Sequence, residues 1–335
     1  MSHLKQDNVD VDLARDAFER ILDLFRSSRA DINVNKFLLH QWLSLHSYTS
    51  EAKLFRAIRS RIDQSDAQAY LDQLDEDARL YRAISEPGSP LRKWKKEERP
   101  VLDSLSALAL FGVTQPLPML LALMRAYERK EIRLAALKRA VKAIEDFHFA
   151  FTAVASQPSS GGISSMYALH ARTLTAAKKP DDRQVEINAL IAKLRGKRPS
   201  RELFVAGFHD LRASELYSQQ KRLVTYILRR FHSKYEGPAA DPDVMTLEHI
   251  ANQGRAADAG LVAMVGNLLY VDLDLNEELG SKGFPEKQNI LVSAKGVWVD
   301  EFIHDASGWG KQQIEQRTLE LAARTTIFGP SRHRA

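Results

Sequence analysis

The sequence predicts a mainly helical (α+β) protein in which one small strand–loop–strand–helix unit, at about residues 244–287, is set among helices. Two observations carry this. Apolar residues recur at three- and four-residue spacing over most of the chain, the period of helices buried along one face. Only in the last third do short β-branched and apolar runs stand out as a pair of strands, from Val244 to Ile250 and from Leu268 to Val271.

Helical spacing begins in residues 9–26, with Phe18, Ile21, Leu22 and Phe25 on one stripe. It returns in 35–62 (Phe37, Trp42, Leu54, Ile58) and in 66–85, which ends at Glu86-Pro-Gly-Ser-Pro90, a strong turn signal. Residues 101–112 are apolar and small, and Gln115-Pro-Leu-Pro118 breaks the chain. One long helix is expected from Met119 to Val154, with Leu137, Val141, Ile144, Phe147 and Phe151 on one face. Its opposite face would carry cations from Arg125 to Lys142. Gln157–Ile163 reads as a hinge, 164–176, 182–195 and 211–235 as helices, and 298–325 as a closing helical segment anchored by Trp309, Ile314 and Leu321. His40 and His46 lack acids at ligand spacing and His148 sits among aromatics, so all three read as packing residues.

Composition bounds the class. At 335 residues, 44% hydrophobic and 27% charged, the chain resembles ordinary globular proteins. With no cysteine, disulfides and thiolate metal sites are excluded, and a cytoplasmic setting fits. No apolar run approaches the roughly 18 residues that span a bilayer, and the acidic residues after Met1–Lys5 argue against a signal peptide. The net charge of +5 is unevenly spread: −3 over residues 1–90, +14 over 91–235 and −6 over 236–335. A basic middle beside an acidic segment suggests that one part holds a polyanion and the other acts on it.

The acidic segment holds the most chemistry. A strand ending in Glu248-His249, a polar loop, the run Gly266-Asn267-Leu268-Leu269-Tyr270-Val271, and Asn276 placed to start a helix would form a hairpin-plus-helix unit. Such a unit gathers Glu248, His249 and Asn276. A carboxylate and an amide oxygen are hard ligands suited to Mg²⁺, and a histidine beside them can take a proton from water. That grouping suits phosphodiester hydrolysis.

These residues resemble the HNH (ββα-metal) nuclease pattern, and more closely the C-terminal nuclease domain of GmrSD-type restriction endonucleases, phage-defence enzymes that cut modified DNA. Phe284 and Lys287 match that family's Phe-x-x-Lys, and Trp309, Ile314 and Arg317 its terminal Trp…Ile-x-x-Arg helix. Phe37–Trp42 and Lys53–Ile58 resemble the helical region that precedes the nuclease.

The resemblance implies an HNH-like unit working with Mg²⁺ or Mn²⁺, with His249 as general base and Glu248 and Asn276 as metal ligands. Asn267 would join the catalytic set by fixing the loop and orienting His249. Lys282, Lys287 and Arg255 are expected on phosphate, and the basic loop of Lys193, Arg195, Lys197, Arg198 and Arg201 on DNA. The domain boundary is expected near 190, with a helical region for DNA or a partner at 1–190 and the nuclease at 191–335.

The sequence departs from the family pattern in two ways. Asn252 stands where the family has proline, and the N-terminal ParB-like domain is missing. The chain therefore reads as the nuclease half, a split subunit or a truncated gene, whose partner would be a ParB-like/NTPase subunit. Two functions are expected from this: a metal-dependent DNA endonuclease or nickase, or a non-catalytic DNA-binding or regulatory subunit built on a decayed HNH fold.

Overall fold

A computed structural model describes residues 15–62, 66–158, 161–237, 241–252 and 258–325. Its described residues are mainly helical and divide into two compact units, residues 1–148 with 158–198, and 149–157 with 199–335. No described helix is long and apolar enough to cross a membrane.

The first unit contains α1 (15–26), α2 (Val34–Leu45), α3 (Glu51–Arg61), α4 (Ala67–Ser85), α5 (Arg99–Leu110), α6 (Leu117–Glu128), α7 (Leu134–His148), α8 (Gly161–Ala176) and α9 (Pro180–Gly196). Its centre is α6. Every residue from Pro118 to Ala126 is buried, so this helix is enclosed on all sides by α2, α4, α7 and α8 rather than amphipathic. The expected single helix from Met119 to Val154 is three pieces. Lys130 adopts a positive φ of 60° and ends α6; α7 follows, and Phe149–Val154 winds as a π-helical turn.

The expected basic face is thinned rather than lost, since Lys130, Arg133 and Arg139 stay exposed. Arg125 is buried and donates from Nε and Nη2 to both oxygens of Asp77 (2.8 and 2.9 Å), and from Nη2 to Ser44 Oγ (2.9 Å). Burying a guanidinium costs least when its donors are paired, and this forked contact pairs Nε and Nη2, leaving Nη1 buried without a hydrogen-bond partner among the described residues. Lys142 lies against Glu145 and Asp146, and Arg129 against Glu76.

The second unit contains the π-helical turn, α10 (Arg201–His209), α11 (Ser218–Tyr235), β1 (Met245–His249), α12 (Ala259–Val262), β2 (Leu268–Asp272), α13 (Leu273–Leu279), α14 (Phe284–Ser293), α15 (Glu301–Asp305) and α16 (Lys311–Arg324). The strands pair antiparallel with Glu248 opposite Leu269 and His249 opposite Leu268. β2 is buried along Leu268–Val271, as its unbroken apolar run requires, and α11 packs on it while α13 packs on both strands.

Asp272, not Asn276, caps the helix that follows: its side chain accepts from Leu275 N at 2.8 Å. Asn276 therefore sits within α13, one turn later than expected. Leu269, Val271, Leu275, Leu279 and Leu291 form the core beneath the hairpin, with Phe284 and Trp309 packed against it.

Candidate active site

Two backbone contacts hold Ala213 in place beside the end of β1. Residues 211–213 run beside 263–265, joined by Ala213 N to Ala263 O (2.8 Å) and Val265 N to Leu211 O (3.2 Å). This leaves Ala213 O 3.2 Å from His249 Nε2. A carbonyl can only accept, so Nε2 carries the proton and the ring's lone pair lies on Nδ1. Burial holds the His249 pKa below its ordinary value, and the cations of Lys287 and Lys221 push the same way against the Ala213 hydrogen bond. His249 is thus kept as neutral imidazole, the form a general base needs.

Asn267 clamps the chain just beyond the histidine. It is fully buried. Its Oδ1 accepts from Ala251 N (2.8 Å) and Trp309 Nε1 (2.9 Å), while Nδ2 donates to Ala251 O (3.1 Å) and Val262 O (2.7 Å). These four bonds use the whole amide. Asn267 therefore does not bond the His249 ring; it fixes the backbone two residues past it, which is reinforced by Ile250 N to Asn267 O at 2.9 Å.

Glu248 and Lys287 depart most from the sequence expectation. Lys287 was expected on DNA phosphate, but it is 1% exposed, and its Nζ reaches Glu248 Oε1 (2.5 Å), His249 O (2.7 Å) and Asn252 Oδ1 (2.8 Å). Three acceptors satisfy an ammonium's three donors, leaving none for a phosphate. Asn252, in the position of the family's proline, donates from Nδ2 to Ser281 O (2.9 Å) and Lys282 O (3.1 Å). It thus ties the exit of β1 to the link between α13 and α14.

The resemblance implies a divalent cation on Glu248 and Asn276. As placed, these residues do not fit one. The Glu248 carboxylate is already neutralised by a buried ammonium, and among the described residues no three His, Asp or Glu side chains gather as a ligand set. Asn276 is half-buried on α13 and makes no side-chain hydrogen bond with a described residue.

Of the other expected contacts, Lys282 is exposed, with Nζ on Glu278 O in its own neighbourhood. Arg255 lies outside the described residues. Lys193 and Arg195 are exposed in the last turn of α9, and Lys197 is exposed just after it. Arg198 is half-buried, with its pKa lowered by burial against the opposing pull of Asp146. Arg201 is exposed at the start of α10.

Sequence reasoning missed Ala213, whose contribution is a carbonyl and leaves no side-chain signal. It also missed Lys221, which lies on the first turn of α11 close enough to influence His249.

The hairpin, its following helix and the clamped histidine form one helix-embedded substructure of the second unit. Residues 206–324 match the family described as GmrSD restriction endonucleases, C-terminal domain. This segment, from within α10 through α16, carries a GmrSD-type C-terminal domain, and the match indicates a restriction-endonuclease type of function. No curated protein matches the chain.

Proposed function

We propose that the chain is a DNA endonuclease or nickase of a restriction, phage-defence system acting on modified or foreign DNA, with His249 activating the attacking water. The observation that supports this best is the state of His249 within the matched segment: neutral, half-buried, its Nε2–H committed to Ala213 O. Nδ1 would take a proton from water as the phosphate is attacked. The Ala213 carbonyl then steadies the imidazolium that forms, much as an acceptor behind a catalytic histidine holds its tautomer. Lys221, close enough to lower the His249 pKa, supplies a cation that would attract a phosphate.

A Mg²⁺ or Mn²⁺ ion would supply Lewis-acid stabilisation of the phosphate and the leaving oxygen. Glu248 becomes a ligand only if Lys287 releases it.

His249→Ala should lower nicking of supercoiled plasmid by at least about a hundredfold, the lower range for loss of a general base, with DNA affinity within about twofold of the parent. Equal cutting by the variant would remove His249 from the mechanism.

The second reading is a non-catalytic DNA-binding or regulatory subunit. The Lys287–Glu248 pair favours it, because it fills the place where the resemblance puts the metal. On this reading DNA binds with a steep salt dependence and no divalent metal elicits cutting.

A further inference from the structure

The second unit contains a cavity of about 240 Å³ that the proposed chemistry does not use. It is built on α11, the π-helical turn and the end of α16. Its apolar wall is Phe149, Ile227 and Phe231, and its rim carries Arg230, Lys234 and Arg324. No carboxylate is among the described residues that line it. α11 itself holds Lys221, Arg222, Arg229, Arg230 and Lys234 without one acidic residue, so the approach to the cavity is positive.

The walls are flat. Phe231 stacks on Trp298 with centroids 4.9 Å apart and planes within 16°, and Tyr235 stacks on the same indole at 5.2 Å and 10°. The Arg230 guanidinium lies over the rings of Phe149 (5.8 Å) and Tyr226 (5.6 Å), held by a bond to Tyr226 Oη at 2.9 Å. Among the described residues Lys234 makes no ion pair, and Arg324 has a long contact to Glu320 at 3.7 Å.

We propose that this cavity binds a nucleotide unit, one planar base against the aromatic wall with its phosphate on Lys234, Arg324 and Arg230. An apolar floor without cations would suit any greasy group, and cations without the floor any anion. Their combination selects a ring that carries a phosphate, because aromatic faces stack bases and guanidinium and ammonium groups hold phosphate. The volume of about 240 Å³ lies below the ~300–1,000 Å³ of drug-sized sites, so the cavity would admit the base while the phosphate stays at the cationic rim. The unit could come from a free nucleotide or from one nucleotide of a DNA strand. The site does not depend on His249 chemistry.

Fluorescence titration tests this, because Trp298 stacks on the wall residue Phe231. The probes are dTMP, thymidine, inorganic phosphate and a short 5′-phosphorylated single-stranded oligodeoxynucleotide, added to the full chain. dTMP should bind at least about tenfold more tightly than thymidine or phosphate alone. Lys234→Glu and Arg324→Glu, both at solvent-accessible positions, should each weaken dTMP by about tenfold or more, the scale of a lost charged hydrogen bond. His249→Ala should bind dTMP as the parent does, which separates this site from failure of the catalytic reading. Competition by the oligonucleotide identifies a DNA strand as the source, and its absence identifies the free nucleotide. No dTMP binding, dTMP no tighter than phosphate, or affinity unchanged in both charge reversals would overturn the proposal.

Discussion

Lys287 shows how one buried residue can redirect the reading of a site. In the sequence it is a lysine at the end of a Phe-x-x-Lys motif, and a lysine near a candidate phosphodiesterase site suggests a phosphate contact. In the fold it is enclosed, and it satisfies Glu248, His249 O and Asn252 together. Removing one partner of a buried pair leaves the other charge uncompensated, at a cost of about 3–5 kcal/mol. Lys287→Met should therefore lower stability by that order in urea unfolding, and adding Glu248→Gln should restore part of it. In the folded single variant Glu248 is released, so Mn²⁺ affinity by calorimetry should rise above that of the parent. Unchanged stability would mean that the pair does not persist in solution.

His249 gives a pH prediction. Its folded pKa lies below the ordinary value of about 6.5, so the neutral base persists to lower pH than an exposed histidine would allow. Cutting should therefore hold roughly constant as pH falls through 6.5 and decline only below it, along a single acid limb. Lys221→Met removes one of the cations that lower this pKa, so it should move that limb to higher pH. A limb centred above 6.5 in the parent would contradict the assignment of His249 as the base.

At the scale of elements, the stretch around Gly266 decides whether the hairpin docks. A Cβ at this residue would lie 2.2 Å from Ile314 O, 2.3 Å from Thr318 Oγ1 and 2.8 Å from Thr318 N, all atoms of α16. The close approach is used on both sides. Gly266 N donates to Thr318 Oγ1 (3.1 Å), and Arg317 Nη1 donates to Gly266 O (2.7 Å) and Leu268 O (3.0 Å), while its Nε is held by Asp300 (2.8 Å). Gly266→Ala should force α16 off the hairpin and cost roughly 3 kcal/mol or more, at the severe end for point substitutions. The damage should appear as lost amide protection in β2 and α16. Protection like that of the parent would show that α16 can shift cheaply.

These contacts also show what could be read from the chain before its structure. Gly266, Asn267, Trp309 and Arg317 stand out as motif residues, and the fold brings all four onto one clamp because each does a job only its type can do. The position of the hairpin was legible too, from two β-branched runs in an otherwise helical chain. The start of α13 was not, because Asp272 and Asn276 are both good caps and only the tertiary fold selects Asp272. Nor was the burial of Arg125 or Lys287: their partners Asp77 and Glu248 are far away in sequence, and spacing rules reach only one or two helical turns.

At the scale of the whole chain, charge is the property that most constrains how DNA would be held. The +14 of residues 91–235 overstates the available surface, since Arg125 is buried on Asp77 and Arg129 and Lys142 lie on acids. Lys193, Arg195 and Lys197 remain exposed at the end of α9, where the last-turn carbonyls favour cations but acids are scarce. Arg198 is half-buried and shares its surroundings with Asp146, so it is the poorer choice for a phosphate contact. If the three exposed side chains meet the backbone of DNA, each contact releases condensed counterions, and the slope of log K against log salt falls by about 0.9 for every contact removed from B-DNA. Lys193→Glu with Lys197→Glu should therefore flatten that slope by about 2 and weaken binding by a similar factor on unrelated sequences, as backbone contacts do. Filter binding between 50 and 200 mM salt measures both quantities. A slope and affinity like the parent's would make the end of α9 a solvated surface, and would shift the search for the docking face to the cations of α11.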